Sequence, residues 1–119
     1  FGTVRDVALD REGDRIVALA DTSIGLIDVG SADPGQVITI DTVVDTTGQD
    51  GLAIALTLDG EHFLTVGGDE VLRVWRTADL EMIAQIDAPT ATGLELHPGG
   101  HIAATAGGDG FMRLFECVP

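Results

Sequence analysis

Asp59-Gly60-Glu61-His62-Phe63-Leu64-Thr65-Val66-Gly67-Gly68-Asp69 comes back 40 residues later as Gly99-Gly100-His101-Ile102-Ala103-Ala104-Thr105-Ala106-Gly107-Gly108-Asp109. The match continues past the turn, where Leu72-Arg73-Val74-Trp75 falls on Met112-Arg113-Leu114-Phe115. A third, more diverged copy comes first: Gly13-Asp14-Arg15-Ile16-Val17-Ala18-Leu19-Ala20-Asp21 leads into Ile24-Gly25-Leu26-Ile27-Asp28, 47 to 48 residues before the second. Self-similarity at such a period is the mark of a repeat architecture, in which each unit buries its apolar surface on the next.

Within each copy, short apolar and β-branched runs alternate with Gly, Asp and Pro, and no stretch of helical period is long enough to compete. The chain is therefore expected to be all-β. Strands are predicted near 4–9, 15–20, 24–29 and 37–41, then 52–57, 62–66, 71–76 and 81–86, then 92–97, 101–106 and 111–116. Between them stand Glu12-Gly13-Asp14, Asp33-Pro34-Gly35, Asp59-Gly60, Gly67-Gly68-Asp69, His97-Pro98-Gly99-Gly100 and Gly107-Gly108-Asp109, all turn-forming composition.

A four-strand unit of this length with these turns resembles a blade of a WD-repeat β-propeller. Leu56-Thr57-Leu58-Asp59-Gly60 stands where that family has Phe-Ser-Pro-Asp-Gly, and Leu96-His97-Pro98-Gly99-Gly100 is the next copy's version. Asp69-Glu70-Val71-Leu72-Arg73-Val74-Trp75-Arg76 and Asp109-Gly110-Phe111-Met112-Arg113-Leu114-Phe115-Glu116 are both similar to the family's Asp-Gly-Thr-Val-Arg-Leu-Trp-Asp. The resemblance implies four-stranded antiparallel blades in an incomplete ring, forming the C-terminal part of a propeller. Blade one would span 1–47, blade two 48–88, and blade three 89–119 without its outermost strand. About four to eight blades close such a ring, so further blades from the same protein or another chain are expected. The outer edge of 111–116 is expected to pair with a strand from another copy or another polypeptide.

The family's Gly-His pair before the innermost strand is replaced here by Gly48-Gln49 and has no counterpart before the third copy. The hydrogen-bonded network that the resemblance implies is therefore partial. Thr65, Asp69 and Trp75 supply three members, whereas Thr105 and Asp109 face Phe115, which has no donor. Trp75 and Phe115 are expected at equivalent buried positions, with Thr65 and Thr105 equivalent on the preceding strands.

Twenty acidic residues against six basic ones, all Arg, give a net charge of −14, which argues against nucleic acid or an anionic membrane as partner and favours a basic protein. No run of 18 apolar residues and no leader pattern occurs, and the chain starts at Phe1, as a processed product or a piece of a longer polypeptide would. Cys117 alone allows no internal disulfide, so a reducing, cytoplasmic setting is expected.

Chemistry finds little support. The Gly-Gly-Asp turns recur at one point of the repeat and read as structural turns, not anion or metal loops. His97 and His101 are separated by Pro-Gly-Gly, which forbids the helix that would aim both imidazoles at a metal. Ser23 and Ser31 have no His near in sequence, and among the innermost strands only Asp6 and Glu95 carry carboxylates. Asp10, Glu12, Asp14, Asp59 and Glu61 are expected to form a solvated acidic rim. No catalytic residue, cofactor or metal is assigned. The expected function is a non-catalytic binding scaffold, a recognition or regulatory module of a larger protein. Its interaction face would comprise Asp45, Gln49, Asp50, Asp69, Thr90 and Asp109. Two alternatives are a propeller enzyme or small-molecule binder with its site outside this chain, and a self-assembling propeller unit.

Overall fold

A computed structural model of the chain describes residues 3–9, 15–28, 42–57, 60–97 and 102–116. Among them there is no helix, and eleven strands form three antiparallel sheets. Sheet 1 contains β1 (Val4–Leu9), β2 (Arg15–Ala20), β3 (Ser23–Asp28) and β4 (Thr42–Asp45) in chain order. Sheet 2 has the same order in β5 (Gly51–Leu56), β6 (His62–Gly67), β7 (Val71–Arg76) and β8 (Glu81–Asp87). Sheet 3 contains β9 (Ala91–Leu96), β10 (Ile102–Gly107) and β11 (Met112–Glu116), with β11 pairing only with β10 among the described residues.

Strand limits agree with the sequence expectation to within a residue wherever both can be compared, because alternation and turn residues are local signals. The strand expected at 37–41 lies outside the described residues, and the fourth strand of sheet 1 is seen at Thr42–Asp45. The turns at 12–14, 33–35 and 98–100, with Asp10, Asp59, His101, Ser31 and Cys117, also lie outside them.

The repeat is written into the pairing. Each sheet has a bulge where its first strand begins: between Val4 and Asp6 opposite Ala20 and Leu19, between Gly51 and Ala53 opposite Gly67 and Val66, and between Ala91 and Gly93 opposite Gly107 and Ala106. The extra residues are Arg5, Leu52 and Thr92. A bulge bends and twists the strand locally, so all three first strands enter their sheets with the same distortion. Left-handed backbone recurs on the same period, at Asp50 (φ 50°) and Thr90 (φ 57°), and at Glu70 (φ 64°) and Gly110 (φ 84°).

The sheets stack face to face through their first strands, β5 touching β1 on one side and β9 on the other. Two cores result. Val17, Leu19 and Ile24 of sheet 1 meet Ile54, Phe63, Trp75 and Leu80 of the second sheet and its loop. On its other face sheet 2 sends Ala53, Leu64, Val66 and Leu72 against Ala91 and Ala103, with Leu94, Leu96 and Phe115 partly buried beside them. Alternation along β6 decides this division: Phe63 and Thr65 point to one neighbour and Leu64 and Val66 to the other, so sheet 2 is apolar on both faces. Its outermost strand β8 is exposed throughout.

One expectation needs correction. Trp75 and Phe115 do take equivalent places, opposite Phe63 and Ala103 respectively, but only Trp75 is buried, at 4% exposure. Phe115 is half-buried. The side chain across from it is a small Ala103 where Trp75 has a Phe ring, and no strand beyond β11 shields it among the described residues.

Candidate interaction rim

The start of each first strand, the end of each second and the start of each third lie at one end of their sheet. Backbone hydrogen bonds lace the chain together there. The N–H of Asp21 donates to the Thr3 carbonyl at 3.1 Å, that of Gly68 to Asp50 at 2.8 Å, and that of Gly108 to Thr90 at 3.0 Å, one such bond in each repeat. The loop that enters each sheet is thereby fixed to the turn between its second and third strands. Glu70 extends the lacing across a junction, because its Oε1 accepts from the Thr90 N–H at 3.1 Å.

This end carries all six residues expected to form the interaction face: Asp45 closes β4, Gln49 and Asp50 sit in the loop into β5, Thr90 in the loop into β9, and Asp69 and Asp109 in the turns. They are not equally free. Asp69 pairs with Arg73 at 2.7 Å, with both side chains mostly covered, and its Oδ1 is buried without a hydrogen-bond partner among the described residues. Asp109 repeats the pairing with Arg113 at 2.9 Å and also accepts from the Phe111 N–H at 3.1 Å. Asp50 and Arg5 approach to 3.5 Å and are the most open of the three pairs. Asp45 accepts from the Thr47 N–H at 2.9 Å and from its hydroxyl. The open Arg5–Asp50 pair contributes little to stability, so its main effect is on the field at the rim. Counting Asp21, Asp45, Asp50, Asp69, Glu70 and Asp109 against Arg5, Arg73 and Arg113, that field is negative.

The expected network is present in one sheet only as a pair. Trp75 Nε1 donates to Thr65 Oγ1 at 3.0 Å, both buried. The Asp69 carboxylate pairs with Arg73 instead, and what meets Gln49 is the Asp69 backbone N–H, which donates to the Gln49 carbonyl at 3.4 Å. Thr105 is buried at the equivalent place, across from Leu94 and Arg113.

A scan of family models finds none that matches the chain, and a search of curated proteins finds no match.

Asp6 and Glu95, the carboxylates of the first strands, have different roles. Asp6 Oδ2 accepts from the Ile54 N–H at 3.0 Å and Oδ1 from the Val7 N–H at 2.9 Å, which clasps β1 to β5 across the junction. Nothing in the sequence signals this bond, which joins residues 48 apart. Glu95 is exposed and lines, with Asp6, Thr92 and Met112, an open crevice beside the first strands. Ser23 is buried, and its Oγ has no hydrogen-bond partner among the described residues.

Two tests arise here. Arg113 donates to the Asp109 carboxylate and holds its pKa below the ordinary aspartate value of 3.8, with the Phe111 N–H and Thr90 adding to the effect. A lowered folded pKa contributes stability above the unfolded value, and that contribution is lost as pH falls through the folded one. In Arg113→Gln the Asp109 pKa should therefore rise towards 3.8 in a carboxyl-carbon NMR titration; an unmoved pKa contradicts the pairing. Thr90 is β-branched in left-handed backbone, which costs about 1–2 kcal/mol. Thr90→Asn, a residue that tolerates this region and keeps a polar side chain, should raise the urea midpoint by up to about 1 kcal/mol equivalent, and a lower midpoint would show that the Thr hydroxyl matters more.

Proposed function

We propose that the three sheets are blades of a WD-repeat-like β-propeller and that the chain is a non-catalytic protein-binding scaffold. Its rim of entry loops and inter-strand turns takes a basic segment of a partner protein. The observation that carries this reading is the recurrence, on the sequence period, of bulge, left-handed entry residue and lacing bond at one end of the sheets. A rigid frame that presents acidic loops at one end is suited to recognition, because loop side chains can differ without disturbing the ladders. Cytoplasmic residence and a role within a larger protein belong to the same proposal; for the membrane, the described residues include no helix long and apolar enough to cross one.

The test is isothermal titration with a Lys/Arg-rich peptide at low and high salt. Charge reversal at the open positions, Asp45→Lys and Asp50→Lys, should weaken binding about fivefold or more, and salt should have the same effect. Affinity unchanged by either would place the recognition surface elsewhere. Asp69 is a poor probe despite its place on the rim, because Asp69→Lys sets a second cation against the half-buried Arg73 and would disturb the fold itself.

A further inference from the structure

β8 is the far edge of sheet 2, opposite the β5 edge through which the sheets stack. Among the described residues it pairs with β7 alone, so alternate N–H and C=O groups along it point outward without a ladder partner there. An edge lies in the plane of its sheet, so another sheet stacked on a face does not cover it. All seven residues of Glu81–Asp87 are exposed, Met82 at 42% and Ile83 at 49%.

Open edges are ordinarily guarded by Lys, by Pro or by a bulge. β8 has neither Lys nor Pro, and its bulge falls at Ile83, between the partners of Val74 and Trp75. Beyond it Ala84, Gln85, Ile86 and Asp87 pair in unbroken register with Val74, Arg73, Leu72 and Val71, so a regular run is left for a further strand.

Charge selects the occupant. Glu81 and Asp87 stand at the two ends of β8 with an uncharged stretch between them. Arg76 is shared by Asp79 and Glu81, which leaves that end net negative. Two copies pairing antiparallel about Ala84 would set Glu81 of each against Asp87 of the other. Like charges directly opposite destabilise a ladder, and each chain carries −14 overall. A strand with a basic residue at each end and β-branched residues between them turns both repulsions into attractions.

We infer that the outer edge of β8 takes an extended segment of another protein, basic at both ends and β-branched between, as an added antiparallel strand. Main-chain hydrogen bonds supply the affinity of such a site, and the charges at Glu81 and Asp87 choose the partner. It is a second surface, which rests neither on the rim nor on the propeller reading.

The test is titration of the isotope-labelled chain with the capped heptapeptide Lys-Val-Thr-Ile-Thr-Val-Lys, read by amide NMR and hydrogen exchange. Saturable shifts and slowed exchange are expected along Glu81–Asp87. Two forms of the peptide, N-methylated on alternate amides at odd or at even positions, separate strand addition from plain charge attraction. A strand pairs by one edge, so one form should bind as the parent does and the other about tenfold or more weakly. Asp87→Lys should weaken the parent peptide about fivefold. Circular dichroism shows whether that variant keeps its sheets, and the methylated pair is decisive on the unmodified chain. No slowing at β8, equal binding of the two methylated forms, an affinity unchanged in a folded Asp87→Lys, or chains that pair through β8 in sedimentation overturns the inference. Shifts confined to the rim loops defeat it and leave the proposed function standing. Binding at β8 beside a rim that ignores the Lys/Arg-rich peptide defeats the proposed function alone.

Discussion

Trp75→Ala is expected to destabilise the chain by about 3–5 kcal/mol, the range for removing a large aromatic from a packed interior. Trp75 is 4% exposed, its ring lies parallel to that of Phe63 with centroids 6.0 Å apart, and its indole N–H is bound to Thr65. The substitution empties the core between sheets 1 and 2, removes the stacked partner and leaves the Thr65 hydroxyl without its donor. Against the roughly 5–15 kcal/mol of a typical domain this is a large fraction. Two companions divide the effect. Trp75→Phe keeps the stack and loses the donor, at about 1 kcal/mol. Phe115→Ala, at the equivalent but half-buried place, should cost less than Trp75→Ala, about 1–2 kcal/mol. Urea unfolding followed by circular dichroism measures all three. A loss below about 1 kcal/mol for Trp75→Ala contradicts the burial.

Gly67→Ala should be the next most damaging exchange, at about 1–3 kcal/mol or more. A Cβ at Gly67 would run into the backbone carbonyl of Gln49, and the loop cannot yield without pulling on the Gly68-to-Asp50 bond beside it. The reason is close approach and not dihedral freedom, since Gly67 is outside the positive-φ glycines. Hydrogen exchange should locate the damage: the Gly68 and Asp69 amides lose protection before those of β2 do. Gly108→Ala is the control, because a Cβ there meets nothing within 4 Å, and it should be tolerated. Equal losses for the two glycines would mean that the lacing of loop to turn is not what fixes the rim.

The all-β class, the strand limits and the turns could be read from the sequence because they follow from alternation along a few residues and from the backbone preferences of Gly, Asp and Pro. The period of 40 residues also placed Trp75 with Phe115 and Thr65 with Thr105, and the pairing of β10 with β11 reproduces that of β6 with β7. Which acceptor a side chain reaches depends on segments far away in sequence, and there the reading was incomplete. Asp69 looked like the third member of a network and instead holds Arg73. Asp6 stood out in the sequence only as one of two carboxylates on the first strands, and its bond to the Ile54 amide was not legible there. Phe115 looked buried by analogy, but burial requires a neighbour on the far side, and the sequence of one strand does not reveal what lies across the sheet. The amino-acid sequence determined the repeat, because local patterning suffices for it. Only the tertiary structure decided that sheet 2 packs on sheet 1 through Phe63 and Trp75 and on sheet 3 through Leu64 and Val66, because the order in which sheets stack is set by packing between residues tens of positions apart.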